Sequence, residues 1–313
     1  IQTHKESGLP TPVARASDLP PDALFLPGPR LAVDHEPALL ALGPRHLAAG
    51  SNNTLRYYDW AASPPALVME RDYVTTIERV VLNASHAAVL AGRRISIHSL
   101  LSPNAPVLSI PERGDANVTC VALSEQFLAY GTADGGIHVA LLGADGVPAS
   151  VAQYALPAGV TALYPNANGT RIFVRDDSGA GHVYNPVNDA LVPVPHLPRV
   201  LSGVLWDQNV LDDLDAVQDW GVFVAYDADI AITYAYFPLT VQGATVEKVA
   251  VTHLPRGHVP MLLRSGSLVT LSASGTPAHV VLASHNALGA ELSPDYSERS
   301  RVWGYAQLFG WLG

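Results

Sequence analysis

Twelve histidines are the side chains of this 313-residue chain best suited to hold a metal or move a proton, and they stand apart from one another. His98, His138, His182 and His279 recur singly at wide intervals. No His-x-His, His-Glu-x-x-His or Cys-x-x-Cys spacing brings two donors onto one face, so no zinc-type ligand set is read. Histidines placed alike in repeated segments are expected to be structural edge residues. A serine nucleophile would be flagged by Gly-x-Ser-x-Gly, which is missing. The stretch Ser274-Gly-Thr-Pro-Ala-His279 lacks the lysine of a phosphate-cradling loop. Between Leu211 and Asp219 lie four aspartates, but no glycine for the sharp turn of a calcium loop, so this segment reads as a solvated loop. The sequence therefore assigns no catalytic residue, no cofactor and no metal ligand.

Two further residue types speak about compartment. Asn52, Asn83, Asn117 and Asn168 each begin an Asn-x-Ser/Thr sequon, the acceptor of an N-linked glycan in a secreted chain. Cys120, the lone cysteine, can form no internal bridge and points to a reducing compartment. The cysteine carries the greater weight. Trp60, Trp206 and Trp220 could anchor a partner, since tryptophan is enriched at binding hot spots; packing between sheets is the expected role. Arg93-Arg94 is the one candidate basic patch and reads as a turn between two strands.

The elements that must position these residues emerge from a recurring pair of apolar runs. The first members are LAAGS from Leu47, AVLAG from Ala88, FLAYG from Phe127, IFVRD from Ile172, VFVAYD from Val222 and LVTLS from Leu268. Their partners begin at Thr54, Ile95, Gly136, Gly181, Ile230 and Ala278, which lie 41, 41, 45, 49 and 48 residues apart. Turn-forming residues such as Ser-Asn-Asn, Gly-Arg-Arg and Ala-Asp-Gly separate the paired runs. Each pair has an apolar run upstream, from Ala38, Ile77, Val118, Val160, Ser202 and Val259, and most have a fourth downstream.

Four strands in each period of roughly 40–45 residues is the arithmetic of a WD-type blade, so the fold class is all-β, a β-propeller of WD40-like four-stranded blades. Inner strands lie between neighbouring blades and read as nearly continuous apolar runs, while outer strands alternate. Six blades are expected, with seven the alternative if the first 35 residues hold more strands. The sixth unit stops after three strands at His285, and the run ALFLP near residues 23–27 is expected to close it from the N-terminal side. The propeller then occupies residues 1–285. Residues 286–313 form a short helical tail, with Ser293-Pro294 as its cap and Val302, Tyr305, Phe309 and Leu312 at helical spacing. That tail is expected to begin a following helical solenoid, and the start at Ile1 reads as a piece of something longer.

Enzymatic propellers place polar groups at the channel-facing ends of their inner strands. Here those ends are Pro37-Ala38, Thr76, Asn117-Val118, Gly159-Val160, Leu201-Ser202 and His258-Val259, mostly apolar or neutral, so no enzyme is expected. Eighteen basic against 28 acidic residues give a net charge of −10. Polyanions are poor partners for such a surface: no nucleic acid is expected, and membrane contact only indirect or weak. No run of about 18 apolar residues is present to span a bilayer.

The segments SGVLWDQ from Ser202, GVFVAYDADIAITYAYF from Gly221, TVQGATVEKVAVTHLP from Thr240 and MLLRSGSLVTLSASGTPAHVVLASH from Met261 carry a resemblance. They resemble the second propeller of the WD repeat-containing protein 19 family, large subunits of intraflagellar transport complex A. The likeness covers about a third of the chain closely, and the earlier blades in general pattern. It implies a non-catalytic scaffold for protein–protein contacts in retrograde ciliary transport and in ciliary entry of membrane cargo. It also implies the other subunits of that complex and cargo adaptors as partners. The propeller would be monomeric within that hetero-complex, in the cytoplasm, cilium or flagellum and at the basal body. The competing reading is a secreted or luminal propeller that carries glycan, with a hydrolase-like enzyme as one form of it.

Overall fold

The computed structural model describes residues 12–14, 37–62, 65–111, 117–143, 146–166, 168–207, 221–240, 243–262, 268–272 and 277–281. The described residues form 24 strands, beginning with β1 (Pro12–Ala14). The next four, β2 (Leu39–Leu42), β3 (His46–Ser51), β4 (Thr54–Asp59) and β5 (Ala66–Asp72), pair in that order as one sheet. A second sheet follows from β6 (Ile77–Leu82), β7 (His86–Ala91), β8 (Arg94–Ser99) and β9 (Leu108–Ile110). The third holds β10 (Val118–Leu123), β11 (Phe127–Thr132), β12 (Gly136–Leu142) and β13 (Pro148–Ala155). The fourth holds β14 (Val160–Pro165), β15 (Ile172–Asp176), β16 (Gly181–Asn185) and β17 (Ala190–Pro193).

The fifth sheet is built from β18 (Gly203–Trp206), β19 (Gly221–Tyr226), β20 (Ile230–Thr240) and β21 (Gly243–His253). In the sixth, β22 (His258–Leu262), β23 (Leu268–Ser272) and β24 (Pro277–Val281) are joined by β1, which pairs antiparallel with β24. Residues 23–27 and the tail 286–313 lie outside the described residues, as do Leu211–Asp219 and Trp220. The strand that meets β24 is therefore drawn from farther toward the N-terminus than 23–27. The chain divides into two compact units: residues 27–191, and residues 1–26 together with 192–313.

Within the first unit the core is shared between successive sheets. Ala48, Leu55, Tyr57 and Met69 of the first sheet pack with Ile77, Val80, Leu82, Ala87 and Val89 of the second. The opposite side of that second sheet, with Ala88, Leu90, Ile95 and Ile97, packs on Val118, Val121 and Leu128 of the third. Cys120, Ala129, Ile137 and Val139 of the third sheet meet Val160, Leu163, Ile172 and Val174 of the fourth. Strand β7 shows why the inner strands lack alternation in sequence. Its Ala87 and Val89 point one way and its Ala88 and Leu90 the other, and a sheet covers each side.

Tight turns hold the middle hairpins in register. Gly92 and Arg93 both adopt φ +60° between the paired residues Ala91 and Arg94, the backbone of a two-residue hairpin turn matched to strand twist. The candidate basic patch is thus a turn: Arg93 N–H donates to Glu78 Oε1 at 3.2 Å, and Arg94 Nη1 donates to the Pro111 carbonyl. The same turns tie each sheet to the next. Ile77 N–H donates to the Asn52 carbonyl at 2.9 Å, and Val118 N–H donates to the Arg93 carbonyl at 3.1 Å. Both ends of this link repeat after 41 residues.

In the second unit, Asp227 closes the β19–β20 turn, its Oδ1 accepting from Asp229 N–H at 2.8 Å and Ile230 N–H at 2.7 Å. Val224, Ala231 and Leu254 form a buried cluster beneath it, with Tyr226 packed against them.

Candidate interaction surface

The turn between the first and second strands repeats one device in the second, third and fourth sheets. Asn83 Oδ1 accepts from Ser85 N–H at 2.9 Å and His86 N–H at 2.6 Å. Ser124 Oγ accepts from Phe127 N–H at 3.0 Å, and Asn166 Oδ1 from Arg171 N–H at 3.0 Å. Short polar side chains of this kind satisfy local backbone donors and so select the turn. Asn83 also reaches the next sheet, its Nδ2 donating to the Ser124 carbonyl at 2.9 Å, and it is only 2% exposed. Of the four sequon asparagines, Asn52 and Asn168 are exposed and Asn117 is half-buried, while Asn83 has no room for a glycan.

The histidines divide among structural roles. His98 is buried between the first two sheets, where Tyr73 Oη lies 2.6 Å from its Nε2 and Tyr57 Oη lies 3.2 Å from Tyr73 Oη. Its Nδ1 is buried without a hydrogen-bond partner, so the Tyr73 contact at Nε2 is the hydrogen bond that holds the ring. Burial, with the Arg71 charge nearby, pushes the imidazole down to about 4. His138 is half-buried and stacks on its cross-strand partner Tyr130, ring centroids 4.6 Å apart. Burial lowers its pKa too. His182 stands opposite Val174 in the β15–β16 ladder. His279 sits in β24, and the strand there replaces the helix a phosphate-cradling loop would need after Ser274.

Trp206 is buried and packs on Phe223 with centroids 4.7 Å apart, while half-buried Trp60 donates from Nε1 to the Gly43 carbonyl at 3.2 Å. Both serve the fold. Cys120 is 1% exposed against Gly131 and Val160, and burial pushes its thiol up to about 11. Among the described residues, no three His, Cys, Asp or Glu side chains converge as a metal cluster would require. Among the described residues, no helix is long and apolar enough to cross a membrane.

What the first unit does present is a set of connections that display apolar side chains. Leu101 (63% exposed), Val147 (49%) and Val187 (80%) stand in the links between the third and fourth strands of three successive sheets, at the same end of each. Val107 shares the first of these links. No Asp, Glu, Lys or Arg occurs from Ile95 to Pro111. Exposed apolar side chains of this kind are what a binding platform would offer a partner. These aliphatic links give no signal in sequence, because an isolated Leu or Val in a loop carries no motif.

Comparison with known proteins bears on the family. The family model described as WDR19 second beta-propeller matches residues 28–285. WD repeat-containing protein 19 of Mus musculus is 34% identical over 269 residues, covering 83% of this chain and 19% of that protein. The Homo sapiens protein of the same name is 31% identical over 268 residues, covering 82% of this chain and again 19% of the relative. The chain thus spans about a fifth of the length of these curated relatives. Among solved structures, the WD40 domain of Toxoplasma gondii coronin superimposes with a TM-score of 0.52 at 13% identity, over 77% of this chain and 69% of that one. Sheets that bury both faces by sharing cores with their neighbours are what a WD propeller requires, and with the match extending from residue 28 to residue 285 the chain belongs to the WDR19 second beta-propeller family.

Proposed function

We propose that this chain is a non-catalytic interaction propeller of intraflagellar transport complex A, serving retrograde ciliary transport and ciliary entry of membrane cargo. The observation that carries the reading is the family match over residues 28–285. In this reading residues 1–285 form one six-bladed ring, closed where an N-terminal strand joins the last blade. Residues 286–313 begin a helical solenoid. The partners are the other subunits of that complex and cargo adaptors, met in the cytoplasm, at the basal body and in the cilium or flagellum. The chain supplies shaped surface and no chemistry: its buried His98 and Cys120 are held in their neutral forms by desolvation, the opposite of an activated acid, base or nucleophile.

The test is affinity capture of the tagged intact protein from ciliated cells, with and without residues 28–285, alongside imaging of train movement. The intact protein is expected to recover the other subunits, and loss of this region to impair return movement toward the cell body. Recovery of none of those subunits, with the tagged protein sensitive to glycosidase in the secretory lumen, would overturn the proposal.

A further inference from the structure

Among the described strands, the outer strand of every sheet has one side without a strand neighbour, and a row of unmatched backbone donors and acceptors there invites another strand. Most of these edges are guarded. β5 carries Glu70, Arg71 and Asp72, with Arg56 Nε donating to Glu70 Oε2 at 2.6 Å and Thr54 Oγ1 to Asp72 Oδ1 at 2.7 Å. β21 carries Glu247, Lys248 and His253. β9 has 3 residues, β17 has 4 and β1 has 3, too few to template a stable addition.

β13 differs from all of them. It has 8 residues, none charged, and between Gly135 and Thr170 the sequence holds a single ionisable carboxylate, Asp145. In its sheet β13 pairs with β12 on one side only. Ala149, Ser150, Val151, Gln153 and Ala155 are all exposed. Val151 is the extra residue of a bulge, since Ala140 pairs with Ser150 and Val139 with Ala152. The bulge is no special guard for this edge: Val68 and Val249 bulge at the matching places in β5 and β21.

We infer that the free edge of β13 receives an extended, uncharged segment of a partner protein as a fifth strand. A strand is the one conformation that satisfies the whole row of backbone groups, and eight residues provide an edge of about 27 Å. The neutral side chains decide the partner's chemistry. A charged strand would find no counter-charge on β13, whereas small and β-branched residues pack against Ala149, Val151 and Ala155. Pro148 has no N–H, so pairing begins after it. The inference deepens the platform reading by naming one place where a partner binds and the form that partner takes.

The experiment measures backbone amide hydrogen exchange of the intact protein, isolated and within the assembly recovered through its tag. The wild-type protein is compared with Val151→Lys/Gln153→Lys, and Val74→Lys, in the exposed link between β5 and β6, serves as a control away from the edge. The amides of 149–155 are expected to slow at least tenfold on assembly in the wild type and the control, and to remain fast in the double variant. The double variant should keep its thermal midpoint. Exchange at 149–155 unchanged by assembly would overturn the inference while leaving the platform reading intact, and needs no variant. Slowing that survives the two lysines would also overturn it, because cover by side chains is not strand addition. Slowing in the isolated protein that disappears on dilution would assign the edge to a second copy, again against the inference. Failure to recover any assembly would instead count against the platform reading on which it rests.

Discussion

Val160 Cγ1 occupies the point where a Cβ on Gly131 would be built, with Val160 Cβ 2.7 Å and Cys120 Sγ 2.8 Å from it. Gly131 belongs to β11 and Val160 opens β14, so this is where the third and fourth sheets approach most nearly through a missing side chain. Gly131→Ala is expected to destabilise by about 1–3 kcal/mol through overpacking. Adding Val160→Ala should return part of that loss, giving a non-additive double-mutant cycle in urea unfolding. Additive losses would place the close contact elsewhere.

The same contact buries the lone thiol. A thiol pushed up to about 11 and 1% exposed is neither ionised nor reachable at neutral pH. Cys120 should therefore react with iodoacetamide only as fast as the chain opens, orders of magnitude slower than in denaturant. Gly131→Ala should accelerate it, as read by mass spectrometry.

His98 links stability to acid. Its folded pKa of about 4 lies below the 6.5 of an unhindered imidazole, so below pH 6.5 the unfolded chain takes up a proton that the folded chain refuses. The stability contributed by the neutral ring is complete above about 6.5 and is lost as pH falls toward about 4, an effect of up to roughly 3 kcal/mol. His98→Gln should lower stability at pH 7 by disturbing the Tyr73 contact, yet lose less than the wild type between pH 7 and 4.5. Equal losses in urea titrations at the two pH values would assign the acid sensitivity to other groups.

Asn83 makes the sequons unequal. On expression through a secretory pathway, glycan mapping should find occupancy at Asn52 and Asn168 and none at Asn83 in folded protein. Asn83→Ala should cost roughly 2–3 kcal/mol, since it leaves His86 N–H, Ser85 N–H and the Ser124 carbonyl without their partner. A glycan found at Asn83 would mean that this turn is formed otherwise.

Much of the fold was legible in the chain. The paired runs around Asn52, Arg93 and Asp134 became hairpins because glycine, asparagine and aspartate at those points admit the backbone a tight turn needs. The weak signals were the outer strands. β9 and β17 are too short to show periodicity, and the strand that joins β24 lies at Pro12–Ala14, where Pro12 hides it. The surface was less legible than the core. Asn83 reads as an exposed acceptor in sequence, since three residues cannot reveal that Ser124 of another sheet takes its amide. The Tyr57–Tyr73–His98 contact joins residues from two repeats and has no linear signature. β13 is conspicuous for the charges it lacks, and only beside the other outer edges does that absence become informative.

The ties from Asn52 to Ile77 and from Arg93 to Val118 use main-chain atoms at both ends. The joint itself does not depend on which side chains stand at these four positions, so replacements other than proline that the turn and the core accept leave it intact. Ancestral lettering can therefore erode from one module after another while the spacing between modules endures, which accounts for a chain whose repeats are plain in geometry and nearly unreadable as motifs.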